Sequence, residues 1–224
     1  MSFNIDKNEV LRYMAYKGQE IDEDLNKKID KCIDIIMRDA KPRYTIGEYS
    51  IENIDEGILV SKSTFILRGK DIKKHLKGCS KIILLAATLG NNIDKIIKLN
   101  ERLSLEDGII LDACATTLIE SFCDSIEKEI SEKKSKEGKS ITFRYSPGYG
   151  DLPIECQRDF ISVVEGSRKI GLCSTSNNIL IPRKSVTAII GVYDEIKEHK
   201  KRSCENCSNY ENCLYRRKGV SCGD

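Results

Sequence analysis

The sequence predicts an α+β fold: a single domain with a central, mainly antiparallel twisted sheet flanked by helices, followed by a short Cys-rich C-terminal tail. Three observations predict it. Helix-period segments alternate with short strand-like runs, and no repeat or low-complexity linker separates them. A length of 224 residues at 40% hydrophobic can bury a sizeable core, and four prolines and fifteen glycines are too few for a disordered or fibrous chain. Ten cysteines are present, and four of them, Cys204, Cys207, Cys213 and Cys222, crowd into the last 21 residues. The organisation expected is a body over residues 1–196 and a basic tail over 197–224.

Each element has a local reason. Asn8 to Tyr16 sets Val10, Leu11, Met14 and Ala15 at helical spacing and ends at Gly18. A second helix is expected from Asp22 to Asp39, with Leu25, Ile29, Cys32, Ile33 and Ile36 on one face and Pro42 as the stop. Thr45 to Ser61 alternates about the turn Asp55-Glu56-Gly57, as a strand pair does. Lys81 to Thr88 reads KIILLAAT, an apolar run suited to a strand buried on both faces. Asn91 to Leu103 is helical. Leu105 to about Lys133 is the longest helix, and its almost wholly charged end, Glu127 to Lys139, is expected to be solvated. Ser140 to Arg144 reads as a strand and Glu155 to Val164 as a helix. Leu172 to Ile181 and Ser185 to Tyr193 read as two further strands.

Charge and composition exclude several functions. With 37 basic and 35 acidic residues the net charge is +2, so no strong field commits the chain to nucleic acid or anionic lipid. The longest apolar runs, such as Ile82 to Ala87, fall far short of the roughly 20 residues a membrane span needs. The opening MSFNIDKNEVLR has no apolar core of a secretory signal, so a cytoplasmic protein is expected. In a reducing compartment Cys32, Cys79, Cys114, Cys123, Cys156 and Cys173 read as thiols that pack as small hydrophobes. Neither a dinucleotide-binding Gly motif nor a P-loop occurs, and no nucleophile elbow is found. His75 and His199 lie in lysine-rich stretches and are expected to be exposed and idle, which leaves acid–base catalysis without a base.

One segment stands out. Phe143 to Pro153 reads FRYSPGYGDLP: Pro147 and Pro153 fix φ, while Gly148 and Gly150 permit positive φ. Arg144 offers a bidentate fork for a carboxylate, and Tyr145 and Tyr149 offer flat aromatic faces. The pattern alone admits two readings, an ordinary strand-to-helix connection with a surface arginine and a ligand-binding loop.

The run Arg144, Tyr145, Ser146, Pro147, Gly148, Tyr149, Gly150, Asp151, Leu152, Pro153 resembles the R-x-x-P-G-Y-x-x-x-P motif of the activation domain of cobalamin-dependent methionine synthase. TSNNILIPRKSVTAIIG, from Thr175 to Gly191, is similar to that domain's T-E-S-x-x-M-x-P-x-x-S-V-S segment. LLAATLGNNID, with LDACATTLIES after it, resembles the family's strand, short helix and long Ala-rich helix. NEVLRYMAYKGQEID is like the opening of its free-standing members. Together these cover most of residues 8–193.

The resemblance implies a chain that binds S-adenosylmethionine (SAM) and supports reductive methylation of oxidised cob(II)alamin. The cobalamin would sit on a separate cobalamin-dependent methionine synthase or a related corrinoid protein, and an electron donor such as flavodoxin or ferredoxin would serve the pair. The chain is then an accessory component of a methyltransferase with no acid–base residues of its own. Carried over residue by residue, Arg144 meets the SAM carboxylate, and Gly148 and Tyr149 lie beside the ligand. Tyr145 and Ser146 offer backbone groups to the adenine or amine, and Pro147 and Pro153 hold the loop. Thr175, Pro182 and Ser185 line the neighbouring wall. Ser176 stands where many relatives have Glu, and the family's acidic partner for the SAM amine has no evident counterpart. A D-x-H-x-x-G cobalamin loop is absent, so the corrinoid belongs to the partner.

The tail reads Cys204-x2-Cys207-x5-Cys213-x8-Cys222. Four thiolates at this spacing suit a [4Fe–4S] cluster or tetrahedral zinc, and the bland reading is a set of free thiols. A cluster would have a use in a reaction that consumes one electron. Residues 197–224 carry seven basic and four acidic side chains, expected to form a solvated surface or one that docks an acidic redox partner. A competing reading, a small metal-binding module whose tail contacts nucleic acid or a redox protein, is weakened by sparse aromatics and near-neutral charge.

Overall fold

The computed structural model describes residues 3–16 and 18–196. The chain opens on α1 (Lys7–Tyr13), whose N-cap Asp6 accepts from the Asn8 amide at 2.8 Å. In α2 (Glu23–Asp39), Asp22 caps the Leu25 amide at 2.7 Å and Ile29, Cys32 and Ile36 are buried. β1 (Arg43–Ile54) and β2 (Gly57–Val60) form the expected hairpin, antiparallel with Ile51 opposite Val60. β3 (Ile66–Leu67) and α3 (Lys70–His75) follow. β4 (Lys81–Thr88), α4 (Asn91–Leu103) and α5 (Leu105–Lys136) come next, and every residue of β4 after Lys81 is buried. The remaining elements are β5 (Ser140–Ile141), a 3-10 turn (Ile154–Cys156), α6 (Gln157–Val163), α7 (Gly166–Ile170), β6 (Cys173–Ser174), β7 (Leu180–Ile181) and β8 (Ser185–Tyr193).

Six strands form the central antiparallel sheet in the order β3-β2-β1-β4-β8-β5, flanked by helices, and β6 and β7 form a separate two-stranded ribbon. The α+β expectation holds. β4 and β8 are neighbours inside the sheet, and their continuous apolar runs match burial on both faces.

The described residues divide into two compact units. One draws on residues 3–16, 18–46, 85–130 and 157–187, the other on 47–84, 131–156 and 188–196. In the first, Ile29, Ile36, Ile93, Ile110, Ala115, Phe160 and Leu172 are fully or almost fully excluded from solvent. Phe122 adds an aromatic cluster, with ring centroids 4.9 Å from Phe3 and 6.0 Å from Tyr44. In the second unit Ile58, Val60, Phe65, Leu67, Ile72, Ile82, Leu84 and Ile190 make the core.

Four expectations change. Leu172 to Ile181 is not one strand: Asn178 takes a positive φ of 61° and donates to the Thr175 carbonyl at 3.0 Å, folding the segment into the β6–β7 hairpin. Ser140 to Arg144 pairs with β8 as a strand only at Ser140 and Ile141, then again through the single bridge Tyr145–Ile189. The charged end of α5 is not wholly solvated. Lys134 is 5% exposed, and its Nζ donates to Glu48 and Glu137, each at 2.8 Å, which offsets the cost of burying the ammonium. Of the body cysteines, Cys32, Cys114 and Cys123 are buried as expected, Cys79 and Cys156 are half-buried, and Cys173 is exposed. Cys204, Cys207, Cys213, Cys222 and His199 lie outside the described residues.

Candidate functional site

The Phe143–Pro153 loop belongs to the second unit and leaves the sheet at Tyr145. There, reciprocal amide–carbonyl bonds of 2.9 and 2.8 Å tie Tyr145 to Ile189 of β8. Three tight backbone bonds shape the turn beyond Tyr145: Tyr149 N–H to Ser146 O, Leu152 N–H to Tyr149 O and Gly148 N–H to Leu152 O, all 3.0 Å. Gly148 and Gly150 take φ of 88° and 52°, the left-handed region that glycine enters without a steric cost. Gly150 is required on a second count, since a Cβ there would collide with the Tyr145 hydroxyl and lie 2.5 Å from Asp71 Oδ2. The Tyr145 hydroxyl donates to the Tyr149 carbonyl at 3.1 Å, a side-chain latch across the turn. Leu152 and Pro147 are buried beneath the loop, while Gly148, Tyr149 and Gly150 are exposed on it.

Arg144 is 5% exposed. Its Nε and Nη1 atoms are shielded from solvent and have no hydrogen-bond partner among the described residues, and the residue is engaged by a further interaction of its own. A guanidinium kept this dry interacts with an anion far more strongly than one in water.

The loop faces α3, which sequence reasoning missed because only Ile72 of that lysine-rich turn is buried. Asp71 and His75 are four residues apart on α3 and therefore share a face. His75 is not idle. Its Nε2 lies 2.9 Å from Thr142 Oγ1, and its ring packs 4.5 Å from Phe143 and 5.0 Å from Tyr145, with Tyr149 6.1 Å beyond. Asp151 ties the loop to α3 from the other side: its carboxylate accepts the Lys70 amide at 2.6 Å and the Asp71 amide at 3.0 Å. These amide bonds, Lys70 first and then Asp71, hold the Asp151 carboxyl below the usual carboxylate range. The structure thus gathers Arg144, Tyr145, Ser146, Pro147, Gly148 and Tyr149 on one loop with an acid and an imidazole beside it. Once α3 is known, the Asp71-x3-His75 spacing is the signal that could have found both.

Thr175 and Ser185 belong to the first unit. Thr175 Oγ1 accepts the Ile179 amide at 3.1 Å and its own amide bonds Ile179 O at 2.9 Å, the work of a hairpin turn residue. Ser185 donates to Thr88 Oγ1 at 2.8 Å. Beside it, Lys184 pairs with Asp112 Oδ1 and with Thr116 Oγ1, both at 2.8 Å. An open concavity of the same unit, lined by Arg158, Ser162, Glu165, Arg168 and Cys173 among others, includes no residue of the loop. No group of His, Cys, Asp and Glu among the described residues is arranged to hold a metal ion. No described helix is long and apolar enough to cross a membrane.

No family model matches the chain. No curated protein matches it. Among solved structures, the chain is similar to the MetH reactivation domain, crystallised bound to AdoHcy. The superposition has a TM-score of 0.62 and 15% identity, and it covers 94% of this chain and 80% of that one. At this identity the likeness is one of fold.

Proposed function

We propose that the chain binds SAM at the Arg144 loop and acts as a reactivation component for a separate cobalamin-dependent methionine synthase or related corrinoid protein. The observation that carries the reading is a loop held in a single backbone geometry that bears a buried cation, Arg144, and packs its Gly150 against an acid, Asp71. A fold shared with a reactivation domain crystallised with AdoHcy supports it.

The donor set fits the ligand. SAM carries a carboxylate, an ammonium, a sulfonium and an adenine. Arg144 takes the carboxylate through its fork. Asp71, on the α3 face against Gly150, takes the ammonium and is the acid for which the sequence offered no counterpart. Tyr145, Tyr149 and Phe143 offer aromatic faces to the adenine and the sulfonium, with Ser146, Pro147, Gly148 and Tyr149 lending backbone groups. Fixing both ends of the amino acid orients the methyl sulfonium toward the open side of the loop, where positioning lowers the barrier without a proton transfer. A cobalamin held by the partner and reduced by one electron from an outside donor such as flavodoxin or ferredoxin would supply the nucleophile for the methyl group, and the loop would be left holding AdoHcy. Thr175 and Ser185 are assigned to shaping their own unit.

The tail extends the proposal: Cys204, Cys207, Cys213 and Cys222 are a thiolate set for a [4Fe–4S] cluster or zinc, supported by their spacing alone. Iron and zinc analysis of anaerobically purified chain tests that part. The main reading is tested by adding the chain, SAM and a reductant to a cobalamin-loaded synthase that lacks its own reactivation domain. Chain-dependent loss of the cob(II)alamin spectrum with formation of methylcobalamin is expected. An unchanged spectrum with each such synthase and corrinoid protein tried would overturn it.

A further inference from the structure

The cap of α3 comes from outside the helix. Gly69, its N-cap residue, has no side chain to offer, and the carboxylate that meets the first two amides belongs to Asp151, about 80 residues further along the chain. A side chain at Gly69 would press on Asp151 Oδ1, so the glycine leaves the room that this contact needs. One of the two amides is that of Asp71, whose own carboxylate packs where a Gly150 side chain would be. The first turn of α3 cannot shift without moving the Asp71 carboxylate away from the loop.

We propose that Asp151 is a positioning residue: by holding the first turn of α3 it keeps the Asp71 carboxylate against Gly150 of the loop, where the ammonium of the proposed ligand would meet it. This rests on the proposed SAM site and deepens it to ligand selectivity. Asp151 acts on the amine end of the ligand through Asp71, without touching the ligand.

The test pairs calorimetry with amide exchange in the full chain. Wild type, Asp151→Ala, Asp151→Asn, Asp71→Asn and the double variant Asp71→Asn with Asp151→Ala are titrated with SAM, AdoHcy and AdoHcy lacking its amine. Asp151→Ala is expected to weaken SAM and AdoHcy about tenfold and the deaminated ligand less than about twofold, in the range of coupled neighbouring residues. Asp151→Asn keeps one carbonyl acceptor and falls between. In the Asp71→Asn background, Asp151→Ala costs nothing further. Exchange at the Lys70 and Asp71 amides speeds up in Asp151→Ala while exchange along α5 stays unchanged. Equal losses for all three ligands, or losses additive with Asp71→Asn, overturn the inference. If wild type binds none of the ligands, the SAM reading falls and the selectivity with it. Lys70 and Asp71 amides still protected by Asp151 in that case would place the fault in the ligand, and unprotected ones would place it in the contact itself.

Discussion

Gly150→Ala tests whether the loop is held as tightly as its contacts imply. Gly150 has φ of 52°, and an alanine in that region costs about 1–2 kcal/mol relative to glycine. The added Cβ would also collide with the Tyr145 hydroxyl and sit 2.5 Å from Asp71 Oδ2. Relief requires the hydroxyl to leave its 3.1 Å bond to the Tyr149 carbonyl, a loss of about 0.5–1.5 kcal/mol. The sum is about 1.5–3.5 kcal/mol. Gly138→Ala supplies the control, because Gly138 has φ of 72° and nothing within 4 Å of a built Cβ, so it carries the backbone cost alone. Urea unfolding followed by far-ultraviolet circular dichroism measures both, with the slope checked so that only the midpoint differs. Gly150→Ala should be the more destabilised by about 0.5–1.5 kcal/mol, the share of the lost hydrogen bond. If the two substitutions cost the same, the close packing of Gly150 against Tyr145 and Asp71 is refuted.

Three further outcomes are expected. Lys134→Met keeps the packed stem but removes the ammonium shared by Glu48 and Glu137. Because Glu48 is a third exposed, the loss in urea unfolding at neutral pH should be about 1–2 kcal/mol rather than the larger cost of a fully buried pair. That difference should shrink in acid. Burial pushes the Glu48 carboxyl up, but bonds to Lys134 and Lys81 outweigh it, so its pKa lies below the usual value; the stabilisation is present above the unfolded pKa and is lost as pH falls through the folded one. Burial pushes the Cys32 thiol up to about 11 and the Cys114 thiol up to about 12, so alkylation at pH 8 mapped by mass spectrometry should label exposed Cys173 and spare both until the chain unfolds.

Much of the fold was legible because its elements carry local signals. Asp22 and Pro42 bracket α2, KIILLAAT can be little but a strand buried on both faces, and the turn at Asp55-Glu56-Gly57 joins β1 to β2. Where stabilisation comes from distant residues, the local signal fails. α3 has two lysines in its last turn and a borrowed cap, so nothing within KDIKKH announces a helix, and His75 looked like one more exposed residue among lysines. Lys134 looked solvated because its partner Glu48 lies 86 residues away. The candidate site divided along the same line. The Arg144 to Tyr149 loop was legible from Pro and Gly, which act on their own backbone. Asp71 was hidden because its relevance depends on where α3 docks. Thr175 and Ser185, expected to line a wall beside the loop, belong to the other unit, where Thr175 accepts the Ile179 amide and Ser185 donates to Thr88.

The central claim is that Arg144 and its loop bind SAM, and calorimetric titration of SAM into wild type, Arg144→Lys and Arg144→Ala tests it most directly. Circular dichroism verifies that each variant is folded, since Arg144 is buried. Saturable binding to wild type is expected, weakened in Arg144→Ala by about 1.5–3 kcal/mol, the scale of a hydrogen bond to a charged group. Arg144→Lys should fall between, keeping the charge and losing the fork. No heat of binding to wild type at millimolar SAM, or equal affinity in all three folded proteins, would contradict the account.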